Sequence, residues 1–413
     1  MSTKQVIFSN TFYQLLARFG TVIFTFLLSI VLTRQISTEF WGQYSIVLNY
    51  VAMFYMLADF GVNILVVKDY SENENLIKSH FTKLFGFKLL VGLVLLGLAV
   101  GISYYLPYTH QVKQGIIFAS ILILLFSLQN SFLAIFQSNL EYWKSAVTNV
   151  LTGLSTFLFV YVYISVSNDL NLKDVVSLTV LGYLLGLVAS VFLTRRQVAF
   201  DLKALFDFGF SKSLFKRSFF IGLTIVLNSF MFSGDKFLLS LFRNDIDVGV
   251  YSLAYKLFEL YLVVPTFIMN AYYPSLVKLS VSGYIAVFKK IKKIVIYMIP
   301  VGLVSSLLIW GTGSIFIPFI WGSEMFAAVH PFTILILTSL PFFITAPLTW
   351  IYYIENYHKR LLLIYLSGFV LNLVLNLKFI PIYGYIGASY ITGLTELLVL
   401  VLLLVGLRNL KRI

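Results

Sequence analysis

Long apolar runs follow one another through the whole chain, and they constrain its fold more than any other feature. A helix that crosses the hydrocarbon core of a membrane needs about 20 mostly apolar residues. Hydrophobic residues make up 59% of the 413 residues and charged residues only 11%, whereas soluble domains are roughly 45–50% apolar and 25% charged. The sequence therefore predicts an all-α polytopic membrane protein with twelve transmembrane helices. The runs are 8–33, 44–67, 84–106, 115–138, 145–166, 174–194, 217–240, 249–275, 293–317, 329–353, 361–380 and 384–407.

The positions of the lysines and arginines predict the orientation of these helices. If the amino terminus is cytoplasmic, 21 of the 30 Lys and Arg residues fall in segments on the cytoplasmic side and 5 on the opposite side. Cytoplasmic loops of membrane proteins carry such an excess. We therefore predict that the N- and C-termini are both cytoplasmic. The same distribution explains the net charge of +13, so we expect no nucleic-acid partner.

The first run is predicted to be a span and not a cleaved signal peptide. It is longer than the apolar region of a signal peptide, it contains Arg18, and no small-residue cleavage site follows it. The expected location is the bacterial inner (cytoplasmic) membrane.

Motifs typical of catalysis or metal binding are missing from the sequence. There is no cysteine, the four histidines are not spaced as metal ligands, and no glycine-rich phosphate-binding loop occurs. We therefore predict a protein that is not an enzyme, with no metal site and no cofactor other than a coupling H⁺ or Na⁺.

A short repeat indicates that the two halves of the chain are related. Trp-Gly-Gln-Tyr-Ser at 41–45 and Val-Gly-Val-Tyr-Ser at 248–252 share glycine, tyrosine and serine at a constant offset of 207 residues. Six spans per half would give a parallel repeat, as in many secondary transporters. The predicted domains are an N-terminal lobe (1–194), a cytoplasmic linker (195–216) and a C-terminal lobe (217–413).

Polar residues of the first span fall on a single helical face. Asn10, Gln14, Arg18, Thr21, Thr25 and Ser29 are three or four residues apart, which is the spacing of one helical stripe. A charge inside a span usually faces protein or water. We interpret the stripe as the lining of a central path, with Arg18 near the middle of the membrane. The alternative is an Arg18–carboxylate pair that only packs helices.

Ionisable residues in other spans extend this path. The carboxylates among them are predicted either to form gates with the cations or to carry coupling H⁺ or Na⁺. Asp235 is predicted to pair with Lys256, either as a periplasmic gate or as a purely structural pair. Lys88, at the start of the third span, is expected to extend to the cytoplasmic interface. The predicted substrate-binding cations are Arg18, Lys236 and Lys256, and the predicted cavity-lining, coupling or gating residues are Gln14, Asp59, Asn228, Asp235, Tyr255, Glu259 and Glu396.

Two lysine-bearing cytoplasmic segments, 68–83 and 275–293, have an amphipathic pattern. They suit either helices that lie on an anionic leaflet or simple solvated loops. A capping-box pattern at 71–74 favours a helix start in the first segment.

Several short motifs, in this order, resemble the polysaccharide-transport branch of the multidrug/oligosaccharidyl-lipid/polysaccharide (MOP) exporter superfamily. Within it, the chain looks like a Wzx-type O-antigen or capsule repeat-unit flippase, and the resemblance runs over nearly the whole length. The motifs lie at 32–34 through 41–44, at 59–61, at Asp235 followed by 248–254, at 315–322 and at 381–389.

The resemblance implies two six-helix lobes that form a MATE-like V around a cationic cavity. It also implies an undecaprenyl-pyrophosphate-linked oligosaccharide as the substrate, moved from the cytoplasmic to the periplasmic leaflet by alternating access and driven by an ion gradient. Expected partners are this substrate, membrane lipids, and a polysaccharide polymerase with its chain-length regulator. Arg18, Lys236 and Lys256 would then bind the pyrophosphate or acidic sugars.

Two other functions remain open at this point. A drug or cation antiporter of the same superfamily would favour a cavity dominated by carboxylates. A polytopic O-antigen polymerase or ligase would favour long periplasmic loops with paired arginines, and none of the predicted loops is that long.

Overall fold

The structure is a computed structural model that describes residues 3–73, 75–167, 169–198, 200–280, 283–355 and 357–410, with no side chain described at 3–12, 14, 15, 17–19, 72, 270, 271, 273, 274, 277, 278, 409 and 410. Over these ranges the chain forms helices and no β-strand. The α-helices are α1 (Thr3–Gln35), α2 (Thr38–Asp59), α3 (Val62–Glu72), α4 (Asn75–Ser103), α5 (His110–Ala119), α6 (Ile121–Ser138), α7 (Tyr142–Val166), α8 (Leu172–Thr194), α9 (Phe208–Phe242), α10 (Asp245–Ser280), α11 (Tyr284–Trp321), α12 (Val329–Leu337), α13 (Leu340–Ile354) and α14 (His358–Leu410).

Length and composition make most of these helices candidates for membrane spans. Eight helical stretches of the described residues are long and apolar enough to cross a membrane, and the number rises to ten if each of two bent helix pairs counts as one span. The bent pairs are α2 with α3, at 42°, and a second pair that ends in α13, at 46°. Many leucine, valine and phenylalanine side chains on these helices are exposed, as expected for surfaces that contact lipid. The predicted all-α polytopic class is confirmed.

The chain divides into two compact units, residues 1–226 and 227–413, with the boundary inside α9. In the first unit, α7 packs along α1 and α8, and α4 packs along α6. Small residues allow the α7–α8 contact to be close: a methyl group on Gly186 would collide with Thr152 Oγ1, which is the packing that glycine permits between membrane helices. The predicted lobe boundaries at 194 and 217 remain a prediction.

The segment between α8 and α9 packs against the first unit. The Asp201 N–H donates to Thr82 Oγ1 at 3.1 Å, and the Phe200 ring lies 5.1 Å from the Phe85 ring. Lys83 Nζ lies 2.8 Å from Asp207 Oδ2. The hydrogen bond from Lys83, with another from the Phe210 N–H, holds the pKa of Asp207 below its usual value. Asp207 thereby caps the amino-terminal end of α9.

The amphipathic segments are, where described, continuations of the long helices. The first belongs to α3 and α4: Ser71 lies inside α3, and α4 begins at Asn75, directly after the capping-box pattern at 71–74. Asn73 occupies the turn, and its Oδ1 accepts from the Asn75 N–H at 3.1 Å. In the second segment, α10 runs to Ser280 and α11 begins at Tyr284. The described parts of both segments are therefore helical, and their position on an anionic leaflet remains a prediction.

A break separates α2 from α3 where the sequence predicts one continuous span. Phe60 and Gly61 have left-handed backbone angles, with φ of 41° and 71°. Gly222 of α9 lies directly against this break, and a methyl group on it would lie 2.5 Å from the Phe60 carbonyl oxygen. The bend therefore depends on glycine at both 61 and 222, one for its backbone conformation and one for close approach.

In the second unit, α13 packs between α11 and α14, and α10 packs along α12. α14 contains the eleventh and twelfth predicted spans. Gly384, at the predicted start of the twelfth span, has non-helical angles (φ 56°, ψ −140°). The Arg243 side chain reaches this point and donates to the Ile380 and Ile382 carbonyl oxygens at 3.2 and 2.9 Å. These contacts satisfy carbonyl groups that the break leaves without helical partners.

Candidate functional site

A lysine, a glutamate and a tyrosine form a charged face in the second unit. Lys236 Nζ of α9 lies 3.0 Å from Glu259 Oε1 of α10 and 4.2 Å from the centre of the Tyr255 ring. The Lys236 side chain is buried, whereas half of the Glu259 side chain surface is exposed. Because an exposed carboxylate within a span is costly against lipid, we infer that this face borders water. Both charges were predicted for the path, and they are neighbours.

Asp235, one residue before Lys236, is fully buried and binds hydroxyl groups. Its Oδ2 accepts hydrogen bonds from the Tyr251 hydroxyl and, at 3.2 Å, from Thr392 Oγ1. Its Oδ1 accepts from the Lys236 N–H at 2.8 Å. Asp235 thus joins α9, α10 and α14. Among the described residues its partners are these three donors, so the predicted Asp235–Lys256 pair is not formed.

Glu396, four residues after Thr392 on α14, is a second buried carboxylate of this unit. Its Oε1 accepts a hydrogen bond from Thr345 Oγ1 of α13, and Thr349 Oγ1, one turn further, lies 3.3 Å from the Tyr365 hydroxyl. The ion pairs formed by described residues do not include Glu396. Both buried carboxylates therefore meet hydroxyl groups.

Two asparagines on α14 belong to the same polar interior, and the sequence analysis missed them. Asn376 Nδ2 donates to Asn372 Oδ1 at 2.9 Å, and Asn372 Nδ2 donates to Thr395 Oγ1 at 3.2 Å. Both asparagines are buried. Their four-residue spacing places them on one helical face, which is the signal that could have identified them.

Several buried polar atoms of the second unit have no hydrogen-bond partner within the described part of the chain. They include the Tyr255 hydroxyl, Asn228 Oδ1 and Asn376 Oδ1. Buried polar groups in native proteins are nearly always paired with protein or water. These atoms are therefore available to bind water or an ion.

In the first unit, Asp59 pairs with Lys88 at the α2–α3 break. Lys88 Nζ lies 2.7 Å from Asp59 Oδ1, and only 1% of the lysine side chain is exposed. The Ser127 hydroxyl donates to the Lys88 carbonyl oxygen at 2.9 Å. The expectation that Lys88 extends to the cytoplasmic interface was wrong because Asp59, a partly exposed residue on another helix, pairs with the lysine and holds its charge inside the protein.

Two predicted residues lie at positions without a described side chain, and a third lies close to the charged face. Gln14 and Arg18 lie on α1 among the positions whose side chains are not described. Lys256 is half-buried on α10, within electrostatic range of Glu259 and Lys236. The assignment of all ten predicted site residues to a substrate path stays a prediction.

No group of three or more histidine, cysteine, aspartate or glutamate side chains that could hold a metal ion occurs among the described residues.

Solved structures place the fold in a class of membrane transporters. The chain is similar to the lipid II flippase MurJ in an inward closed conformation, with 14% identity over 98% of this chain and 88% of that chain and a TM-score of 0.72. It is also similar to the MATE multidrug transporter DinF-BH, with 17% identity over 99% and 96% of the two chains and a TM-score of 0.69.

A third similar structure is an inward-facing multidrug resistance MATE family transporter of the MOP superfamily, with 13% identity over 95% of this chain and 98% of that chain and a TM-score of 0.65. At these identities the likeness shows the fold, which is that of MATE transporters and MurJ. No curated protein matches the chain in sequence.

Residues 7–280, more than half of the chain, match the family described as "Polysaccharide biosynthesis protein". The chain belongs to this family. The predicted resemblance to the polysaccharide-transport branch of the MOP superfamily is thereby confirmed.

Proposed function

We propose that this protein is a flippase of the bacterial inner membrane. It moves an undecaprenyl-pyrophosphate-linked oligosaccharide, an O-antigen or capsule repeat unit, from the cytoplasmic to the periplasmic leaflet. A polysaccharide polymerase and its chain-length regulator would then receive the flipped unit. Family membership and the fold shared with a lipid II flippase support the proposal.

The proposed topology has twelve spans in two six-helix lobes, with both termini in the cytoplasm. Ten spans correspond to the apolar helices and bent pairs described above. The apolar part of α1 (Gly20–Gln35) would belong to the first span, and the break at Gly384 would divide α14 into two. The 21-to-5 distribution of lysine and arginine supports the orientation.

The observation that carries the proposal is the Lys236–Glu259 face. A lysine is buried against Tyr255 within a span, and its carboxylate partner is half exposed. Such a cation can bind a pyrophosphate if the substrate replaces Glu259 as its partner. We propose that Lys236 and Lys256 bind the pyrophosphate or acidic sugars in this way, together with Arg18, while the polyprenyl tail stays in lipid.

An ion gradient would drive the cycle through the buried carboxylates. Asp235 and Glu396 accept hydrogen bonds from hydroxyl groups, and a buried carboxylate without a cationic partner is costly. Binding of H⁺ or Na⁺ would remove that cost. We propose that these two residues carry the coupling ion and that Asp59 with Lys88 acts as a gate near the α2–α3 break.

The test of this function is Arg18→Ala in cells that lack their own repeat-unit flippase. We expect export of the repeat unit to fall more than tenfold at a normal protein level in the membrane, because the pyrophosphate loses a cation in mid-membrane. Gels that resolve the displayed glycan measure export. The matched control is Arg18→Lys, which keeps the charge and should retain part of the export. Full glycan display by Arg18→Ala would contradict the role of Arg18.

A drug or cation antiporter is the second candidate. The observation in its favour is the pair of buried carboxylates, Asp235 and Glu396, in a fold that also occurs in MATE multidrug transporters. Resistance of cells to cationic dyes distinguishes the two functions. An antiporter would raise resistance, whereas the proposed flippase would leave it unchanged.

A further inference from the structure

An apolar groove with two basic residues at one end lies among α11, α13 and the last turns of α14. Its volume is about 370 Å³, within the roughly 300–1,000 Å³ typical of ligand sites. The buried side chains of Ile291, Leu348, Ile351 and Leu407 line it. All lining residues lie within the second unit. Asp235 and Glu259 do not line the groove, whereas Ile344, which lines it, precedes Thr345, the hydrogen-bond partner of Glu396.

Neighbouring contacts hold the groove in shape. The Tyr352 hydroxyl of α13 donates to the Leu403 carbonyl oxygen of α14 at 2.7 Å. A methyl group on Gly406 would collide with the same hydroxyl, so the two helices meet closely at this point. The groove is therefore a preformed feature of the helix packing.

The two basic residues lie toward the side of the groove where α11 begins and α14 ends, and Phe288 lines the groove one turn before Lys292. Lys292 lies near the start of α11 and Arg408 near the end of α14. Both side chains are exposed, and neither makes a hydrogen bond or ion pair with the described residues. Lys290, by contrast, lies over the Tyr272 ring. Lys292 and Arg408 therefore offer two unpaired cations.

The apolar part extends away from these charges, toward the middle of the membrane. Ile296 lies one turn beyond Lys292 and Leu404 one turn before Arg408, and both are exposed along the groove. An amphiphile with an anionic head and an apolar chain matches this arrangement. Basic pockets between helices on the cytoplasmic side are known to bind anionic headgroups.

We propose that the groove binds an anionic phospholipid of the cytoplasmic leaflet. The headgroup phosphate lies between Lys292 and Arg408, and one acyl chain lies along the apolar floor. The choice of leaflet rests on the proposed topology. The binding itself depends neither on that topology nor on the transported substrate.

Native mass spectrometry of the purified full-length protein in detergent tests the proposal, with dioleoyl phosphatidylglycerol as the probe and dioleoyl phosphatidylcholine as the zwitterionic comparison. We expect the wild type to bind phosphatidylglycerol at least tenfold more tightly than phosphatidylcholine. The double variant K292Q/R408Q should lose at least tenfold in this affinity. The matched control K289Q/K293Q removes two exposed charges of the same helix end that do not line the groove, and it should stay within twofold of wild type.

A second variant tests the apolar part without a change of charge. Leu404→Trp fills the groove, so it should weaken phosphatidylglycerol binding as strongly as the double charge variant does. Thermal unfolding in lipid-free detergent shows whether K292Q/R408Q folds. If it does not fold, Leu404→Trp still tests whether the groove binds the lipid.

Three results would overturn the proposal. Equal losses in K289Q/K293Q and K292Q/R408Q would mean that lipid is attracted by the lysine-rich end as a whole. Unchanged binding by Leu404→Trp would mean that no acyl chain enters the groove. Displacement of phosphatidylglycerol by equimolar undecaprenyl pyrophosphate would assign the groove to the transported lipid instead. None of these results depends on whether the protein is a flippase.

Discussion

The tyrosines of the repeated Gly-x-Tyr-Ser motif make related contacts in the two units, with one difference. The Tyr44 hydroxyl lies 3.1 Å from Thr179 Oγ1 of α8 in the first unit. The Tyr251 hydroxyl donates to Asp235, which also accepts from Thr392. In both units a motif tyrosine is thus linked to a threonine of a later helix, directly in the first unit and through a carboxylate in the second. The second unit differs by this added carboxylate.

The sequence position equivalent to Asp235 in the first half is apolar. At the offset of 207 residues, Asp235 corresponds to Leu28, which is buried. At this position the buried charge therefore occurs in the second half alone. The motif tyrosine packs against neighbouring helices in both halves, but only Tyr251 contacts a buried carboxylate. A comparison of variants at Tyr44 and Tyr251 therefore separates a role in ion coupling from a role in packing.

We predict that Asp235→Asn makes transport insensitive to an imposed H⁺ or Na⁺ gradient and that Tyr251→Phe alters the same dependence. An asparagine side chain cannot exchange a proton or neutralise a cation as the Asp235 carboxylate does. Tyr251→Phe removes the hydroxyl that donates a hydrogen bond to this carboxylate. The matched control is Tyr44→Phe. It should cost about 0.5–1.5 kcal/mol of stability and leave the gradient dependence unchanged.

Transport rates in proteoliposomes, measured against pH and sodium gradients, give the result. Equal behaviour of Tyr251→Phe and Tyr44→Phe, or a gradient-dependent Asp235→Asn protein, would contradict the coupling role.

The sequence revealed which residues are polar within spans but not which of them meet. Spacing on one helix predicted which polar residues of the first span share a side, because residues three or four apart lie on one face. The pairing of Lys88 with Asp59 and the hydroxyl partners of Asp235 join different helices. Such contacts depend on how helices pack, and the residue pattern of one helix does not contain that information.

At the scale of helices, the apolar length of each span was predictable and the breaks were only partly so. Gly384 lies at the predicted start of the twelfth span, and the residues around it follow a proline. The α2–α3 break was not predicted, because its sequence is apolar on both sides. It depends on Gly222 of α9, a residue far along the chain that meets the break only once the helices have packed.

We predict that Gly222→Ala destabilises the protein by about 1–3 kcal/mol, the usual cost of overpacking. The added methyl group would lie 2.5 Å from the Phe60 carbonyl oxygen, so the α2–α3 break has to move. The matched control is Gly97→Ala on α4, where a methyl group meets no atom within 4 Å.

Thermal unfolding in detergent measures the difference. Gly222→Ala should unfold at a lower temperature than the wild type, and Gly97→Ala should match the wild type or exceed it. Equal unfolding temperatures for the two variants would show that α9 is not held tightly against the break.

At the scale of the whole molecule, the apolar runs and the ordered set of motifs predicted more than any single motif. The apolar runs predicted the polytopic all-α class, and the ordered motifs predicted the family. Fewer charged residues lie inside the predicted spans than outside them, and their positions differ between the two halves of the chain. Seven of the 30 Lys and Arg residues lie inside predicted spans, and four of them lie more than three residues from either end of their span: Arg18, Lys88, Lys236 and Lys256. The substrate specificity we propose depends on three of these four.

The central claim is that this protein moves a lipid-linked oligosaccharide across the membrane. The direct measurement uses proteoliposomes with the purified protein and a fluorescent undecaprenyl-pyrophosphate-linked glycan, whose transfer between leaflets is followed by chemical quenching from outside. We predict gradient-dependent transfer by the wild type and by Lys359→Gln, an exposed control, and at least a tenfold slower transfer by Lys236→Gln. No transfer above protein-free liposomes, together with gradient-driven movement of a cationic dye, would contradict the flippase assignment and favour the antiporter.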